Sequence, residues 1–296
     1  MGNTKHSGVV LALINQKGGV AKTTTAQTIA RELAKKNKVL LIDFDGQATL
    51  TELIDLYEHF DKEFLDQYFE ENSILKIFNR EEISPIDSTD IVKVSSNQKV
   101  KVNELHFIPS VGNALSFIVE GVSGGKDLLL KNFLRTIKND YDYIVIDSLP
   151  GVSTLFKNVL LAADSLVIPI QTKTNAIAGA NEFIKVVDEV MGDYGAEYKN
   201  LFILPTVYNK QRRNDKDVLA EIKTSYLDFI KGRKYVGAIN TVVLDTIPER
   251  TVFSHAQDVR YFLQDYIESF DTGKRDILLL LEKITKTITK TIKKNK

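Results

Sequence analysis

The stretch Val9-Val10-Leu11-Ala12-Leu13-Ile14-Asn15-Gln16-Lys17-Gly18-Gly19-Val20-Ala21-Lys22-Thr23-Thr24 decides the fold of this 296-residue chain. Its apolar opening, Val9 to Ile14, is too short for a helix and the right length for a buried parallel strand. From Thr24 to Lys36, apolar or small residues fall at Ala26, Ile29, Ala30 and Leu33, which is helical spacing. Strand, glycine-bearing loop and helix in that order are the frame of a phosphate-binding loop. Successive backbone N–H groups and the positive end of the helix dipole converge on an anion there, and glycines let the backbone come close. In such a loop Lys22 neutralises β- and γ-phosphates and the Thr23 hydroxyl ligates Mg²⁺.

The stretch departs from the ordinary G-x-x-x-x-G-K-[ST] pattern at two positions. Gln16 stands where its first glycine belongs, and Ala21 replaces the glycine before the lysine. It gains Lys17, a second lysine at the front of the loop. This K-G-G-x-x-K-[ST] order is the deviant Walker A motif, and through it the chain resembles the ParA/MinD family of ATPases. The resemblance implies ATP and Mg²⁺ as cofactors, with Gly18, Gly19, Val20, Ala21, Lys22, Thr23 and Thr24 around the phosphates. It also implies that Lys17 crosses a dimer interface to the partner's ATP.

Composition narrows the field. The apolar and charged fractions, 43% and 26%, are ordinary for a soluble globular protein, and the length suits one elaborated α/β domain. No window approaches the ~20 apolar residues of a membrane span. No signal-peptide core precedes the first strand, so a cytoplasmic location is expected. There is no cysteine, which excludes disulfides, thiolate zinc and the iron–sulfur clusters that some proteins with this loop hold. Net charge is zero, so nucleic-acid binding would need a local patch rather than a whole-protein field.

Lys38 to Asp43 reads as a second strand running into Asp43-Phe44-Asp45-Gly46-Gln47. Carboxylates at a strand's carboxyl end beside a phosphate loop sit where a metal and a lytic water belong. The resemblance makes this the D-x-D-x-Q switch, with Asp45 positioning water and Asp43 in the lysine and Mg²⁺ network. Tyr141 to Asp147 is a hydrophobic strand tipped by an aspartate, a Walker B strand whose Asp147 holds Mg²⁺ through a water. Family members follow that aspartate with paired prolines after one residue; here Ser148-Leu149-Pro150-Gly151 follows.

Between the two carboxylate strands lies an elaboration, residues 52–104. The spacing predicts a helix over Leu53 to Phe69, a shorter one over Ser73 to Phe78 with Ser73 as its N-cap, and a loop or hairpin over Ile83 to Lys101. Leu105 to Ser110 reads as a strand, Gly121 to Gly125 as a flexible connection and Lys126 to Asn139 as an amphipathic helix. Buried strands follow at Ser165 to Ile170 and Leu201 to Val207, with a helix at Ala176 to Met191 between them. By resemblance, Asn209 supplies an amide to the adenine edge and the Thr246-Ile247-Pro248 turn covers its face, although Asn at a strand end also forms turns.

Strands alternating with helices predict a mostly parallel twisted sheet with helices on both faces, in one P-loop ATPase domain over residues 1–296. The basic C-terminal helix, residues 275–296, has Ile284, Ile288 and Ile292 every four residues and Lys286, Lys290 and Lys294 opposite. It can pack on the body, lie on an anionic membrane, or join Lys210, Arg212, Arg213 and Lys216 in a DNA-binding surface. The absence of Trp or Phe favours DNA, with Lys286 and Lys290 as contacts. The resemblance is to ParA-type partition ATPases without an N-terminal helix-turn-helix domain. It implies an ATP-state homodimer on nonspecific double-stranded DNA, released by slow hydrolysis that a ParB-like protein stimulates, and a nucleoid-associated location. A MinD-like membrane positioner and a dethiobiotin-synthetase-like enzyme are the alternatives.

Overall fold

The computed structural model of the chain describes residues 7–54, 61–87, 104–111, 126–151, 153–258, 260 and 262–295. Its strands are β1 (Val9–Leu13), β2 (Lys38–Phe44), β3 (Ile86–Asp87), β4 (Glu104–Ile108), β5 (Tyr143–Ser148), β6 (Ser165–Gln171), β7 (Asn200–Thr206) and β8 (Asn240–Val243). They form one sheet in the order β3-β4-β2-β5-β1-β6-β7-β8. Seven strands run parallel, and the two-residue β3 pairs antiparallel with β4 at one edge. This is the α/β P-loop fold expected from the alternation of elements.

The continuous apolar run of β1 has a direct structural cause. Successive strand residues point to opposite faces, and both faces are covered. Val10, Ala12 and Ile14 pack into one core with the helices Leu129–Ile137, Thr154–Ala162 and Ala176–Tyr194. Val9, Leu11 and Leu13 pack into the other with the P-loop helix, Lys22–Leu33, and the C-terminal helix, Arg275–Lys294. The P-loop helix is enclosed nearly all round; even its Arg31 is fully buried, against Asp265 at 2.8 Å.

The elaboration differs from its sequence reading. Helices span Thr49–Ile54 and Lys62–Asn72, while residues 55–60 lie outside the described set. Asp61 caps the second of these, its carboxylate accepting from the Phe64 N–H at 3.1 Å. Ser73 does not cap the short helix Leu75–Asn79 as expected: among the described residues its buried hydroxyl has no partner, and Ile74 occupies the N-cap position. The residue had already been consumed as the C-cap of the preceding helix. The loop or hairpin expected over Ile83 to Lys101 contributes β3, with residues 88–103 outside the described set, as is the connection expected at Gly121 to Gly125.

The C-terminal helix resolves toward the body. Ile277, Leu281, Ile284, Ile288 and Ile292 are each buried in the core they share with the P-loop helix. Burial of each such side chain contributes about 1.5–3 kcal/mol. Lys283, Lys286, Lys290, Lys293 and Lys294 face outward. Among the described residues no helix is long and apolar enough to cross a membrane.

Candidate functional site

The loop after β1 is held from several sides. The Asn15 side chain donates to the Pro169 carbonyl at 2.7 Å and accepts from the Lys17 N–H at 3.0 Å. Gln171, at the end of β6, donates to the Gly19 carbonyl, and the Thr206 hydroxyl donates to that of Val20 at 3.2 Å. Gly19 and Ala21 both adopt the left-handed conformation, at φ 71° and 69°. Gly19 does so freely, whereas Ala21 carries a Cβ that makes this region unfavourable. The position of Ala21 thus shows why the ordinary pattern has glycine there. The helix then begins at Lys22 with, among the described residues, no side-chain cap and no acidic residue in its first turn. Its first N–H groups remain available to an anion.

Those groups face a cleft of about 480 Å³ at the carboxyl edge of the sheet. Gly18, Gly19, Ala21, Lys22, Thr23, Thr24 and Asp45 line one side, and Ile247, Pro248, Glu249, Arg250, Phe253 and Gln257 line the other. Val20 is buried below the loop. Lys22 is buried, with its ammonium donating to the Lys17 carbonyl at 3.3 Å, whereas Lys17 itself is exposed. Burial lowers the Lys22 pKa, and the Asp147 and Asp45 carboxylates oppose that shift.

Behind the loop, Asp43 and Asp147 are register partners on adjacent strands β2 and β5, and both are buried. Burial raises Asp43 to about 7, although it accepts from the Thr51 N–H and hydroxyl at 2.8 and 2.7 Å and from the Asp45 N–H at 3.1 Å. Burial and the neighbouring Asp43 carboxylate hold Asp147 well above the usual carboxylate range. Thr23 and Lys22 pull it the other way, yet among the described residues neither Asp147 oxygen has a partner in hydrogen-bond geometry. Asp45 is half-buried; its carboxylate accepts from the Gln47 N–H at 2.9 Å and its carbonyl from the Ser110 hydroxyl at 2.7 Å.

The donor set fits a hard divalent cation. Two orphaned buried carboxylate oxygens need a positive partner, and the Thr23 hydroxyl lies beside the same cleft. Among the described residues no group of three or more His, Asp or Glu could hold a metal alone. The residues therefore suit Mg²⁺, which keeps waters and takes phosphate oxygens as ligands.

The remaining candidates scatter. Pro248 lines the cleft, but Asn209 does not: its side chain accepts from the Gln211 N–H at 2.9 Å, and it forms the turn after β7. Arg212 pairs with Glu249 at 2.6 Å, and Arg213 lies 3.9 Å from Asp217. Lys210 and Lys216 are exposed beside them. Lys286 pairs with Glu282 at 2.6 Å, and Lys290 is exposed near the helix end, where Asn295 meets Asn200 at the start of β7. The first group follows β7 and the second lies on the outward face of the C-terminal helix, which reaches the neighbouring segment through the Lys283–Asp245 pair at 3.1 Å. Sequence reasoning missed Thr51, Ser110, Gln171, Thr206 and Gln257, which are single polar residues without any local pattern.

The family described as AAA domain matches residues 8–201, more than half of the chain. The sporulation initiation inhibitor protein Soj of Bacillus subtilis is 29% identical over 223 residues, 75% of this chain and 81% of its own. A putative plasmid partition protein of Borrelia burgdorferi, solved with AMPPNP, is 29% identical, with a TM-score of 0.66 over 96% of this chain and 99% of its own. An ATP complex of a Cyanothece McdA variant shares the fold at 19% identity, with a TM-score of 0.69 over 97% and 96% of the two chains. A doubly lysine-bearing loop at the centre of a parallel sheet, matched along most of its length by such relatives, places the chain in the AAA domain family as a ParA/MinD-type P-loop ATPase.

Proposed function

We propose that this ATPase is a DNA-partition switch, a homodimer when ATP-bound, with residues 1–296 acting as one domain. The observation that carries the reading is the contrast between two lysines of one loop: Lys22 is buried at the cleft and Lys17 is exposed. A buried lysine serves its own nucleotide. An exposed one at the loop's front is free to reach the phosphates held by a second copy.

In this reading the first-turn N–H groups and Lys22 bind and orient the phosphates, while Gly18, Gly19, Val20 and Ala21 shape the loop around them. Thr23, with Asp43 and Asp147 through water, would hold Mg²⁺, which when bound neutralises charge on the phosphate oxygens. Asp45, half-buried on the cleft wall, orients the attacking water. Pro248 covers the base. The dimer binds nonspecific double-stranded DNA through scattered cations, and a ParB-like partner stimulates hydrolysis and release, which gives a cytoplasmic, nucleoid-associated protein. Lys210 and Lys216 are the better placed of the basic residues, being exposed, whereas Arg212 and Lys286 are paired with Glu249 and Glu282. A MinD-like use of the C-terminal helix is disfavoured because its isoleucine face is buried in the body.

Binding to a random-sequence duplex with ATP and with ADP tests this, using Asp45→Ala to hold the ATP state. ATP-dependent binding is expected that weakens steeply with salt and is lost in Lys22→Ala. Equal, negligible binding with both nucleotides at low salt overturns the DNA reading.

A further inference from the structure

The wall of the cleft opposite the loop is tied to the P-loop helix at three successive turns. The Gln257 amide nitrogen donates to the Thr24 hydroxyl at 2.7 Å. The Gln264 amide nitrogen donates to the Thr28 carbonyl at 2.8 Å. Arg31 makes a two-pronged contact with Asp265, at 2.8 and 3.3 Å, and both side chains are fully buried. Such a fork fixes orientation as well as distance. The helices Val252–Asp258 and Leu263–Phe270 are thus registered against the P-loop helix. Gln257 is held where it meets Thr24.

That meeting has a direction. An amide nitrogen only donates, whereas a threonine hydroxyl carries one proton and two acceptor lone pairs. With Gln257 occupying an acceptor position, the Thr24 proton is turned to the other side. Thr24 is the third residue of the P-loop helix and lines the cleft together with Gln257. Among the described residues its hydroxyl has no acceptor. A hydroxyl that already accepts one hydrogen bond is also a stronger donor.

We propose that Gln257 is a positioning residue that aims the Thr24 hydroxyl proton at a phosphate oxygen of the bound nucleotide. The inference rests on the nucleotide-binding reading above. It makes the cleft's far wall part of the phosphate site, acting through Thr24 without touching the phosphate.

Gln257→Glu separates this from a merely structural contact. The carboxylate matches the amide in size but only accepts, so it keeps the hydrogen bond and reverses it, drawing the Thr24 proton away from the cleft. ADP binding would be measured by calorimetry for the unaltered chain, Gln257→Glu, Thr24→Val and the double variant, with denaturation midpoints of the nucleotide-free proteins beside them. Each single variant is expected to weaken ADP binding about tenfold, the scale of one hydrogen bond to a charged group. The double variant is expected to be no weaker than Thr24→Val alone, and the Gln257→Glu midpoint to stay unchanged. Undiminished ADP binding by Gln257→Glu, or an equal loss with and without the Thr24 hydroxyl, overturns the proposal. Failure of the unaltered chain to bind ADP removes the nucleotide reading itself and the proposal with it.

Discussion

At the carboxyl edge of the sheet, two carboxylates and one lysine are buried together, Asp43, Asp147 and Lys22. Along the C-terminal helix, the buried side chains are chiefly the isoleucines and Leu281, and the lysines stand in water. Both regions belong to the same molecule and border the same P-loop helix, yet they use burial for opposite ends. The first withdraws charge from solvent, which is unfavourable until a phosphate and a cation arrive. The second withdraws hydrocarbon, which is favourable from the start. The stability that holds the site in its strained condition is therefore supplied by elements that take no part in the chemistry.

The largest expected effect concerns Asp43. Its pKa is raised from 3.8 in the unfolded chain to about 7 in the fold, so the folded state binds the extra proton. Its contribution to stability is thus fully present below about pH 4 and is lost as pH rises through about 7. Without nucleotide and with Mg²⁺ chelated, denaturant melts should show stability falling over that range by something on the order of 4 kcal/mol. Asp43→Asn should make the profile shallower, leaving the fall that the buried Asp147 contributes. An unchanged slope in that variant would remove the carboxyl edge from its side of the comparison.

Ile288→Ala probes the other side. The side chain is fully buried, so truncation should cost about 3 kcal/mol in a denaturant melt, with ADP affinity changed less than twofold. A loss below about 1 kcal/mol would mean the helix is not the support inferred for it. The smallest effect is a gain. Ala21→Gly removes a Cβ from a left-handed position at φ 69° and should stabilise the nucleotide-free protein by about 1 kcal/mol. Destabilisation in that variant would show that the alanine packs more than it strains.

The loop was legible because its demands are local. β1, its glycines, Lys22 and Thr23 are contiguous, and each answers a backbone or charge requirement within a few residues. The aspartate-tipped strands were legible for the same reason, since an apolar run ending in Asp carries both the strand and the carboxylate. Ser73 was misassigned because capping depends on which of two adjoining helices claims the residue. Asn209 could be read as a turn former or a base contact from its position alone. Its bond to the Gln211 N–H and its place outside the cleft come from the path of the chain after β7.

The sequence by itself determined the alternating α/β order, the phosphate loop and the candidate carboxylates, because short-range patterns encode which faces must be buried and where the backbone must turn. Only the tertiary structure decided what covers those faces. An isoleucine every fourth residue in the C-terminal helix demands an apolar partner but cannot name it, and the fold provides the P-loop helix's own core. The same holds for Arg31 and Asp265, or Thr24 and Gln257, more than two hundred residues apart. Pairings at that separation follow from how the layers stack, and no local pattern carries them.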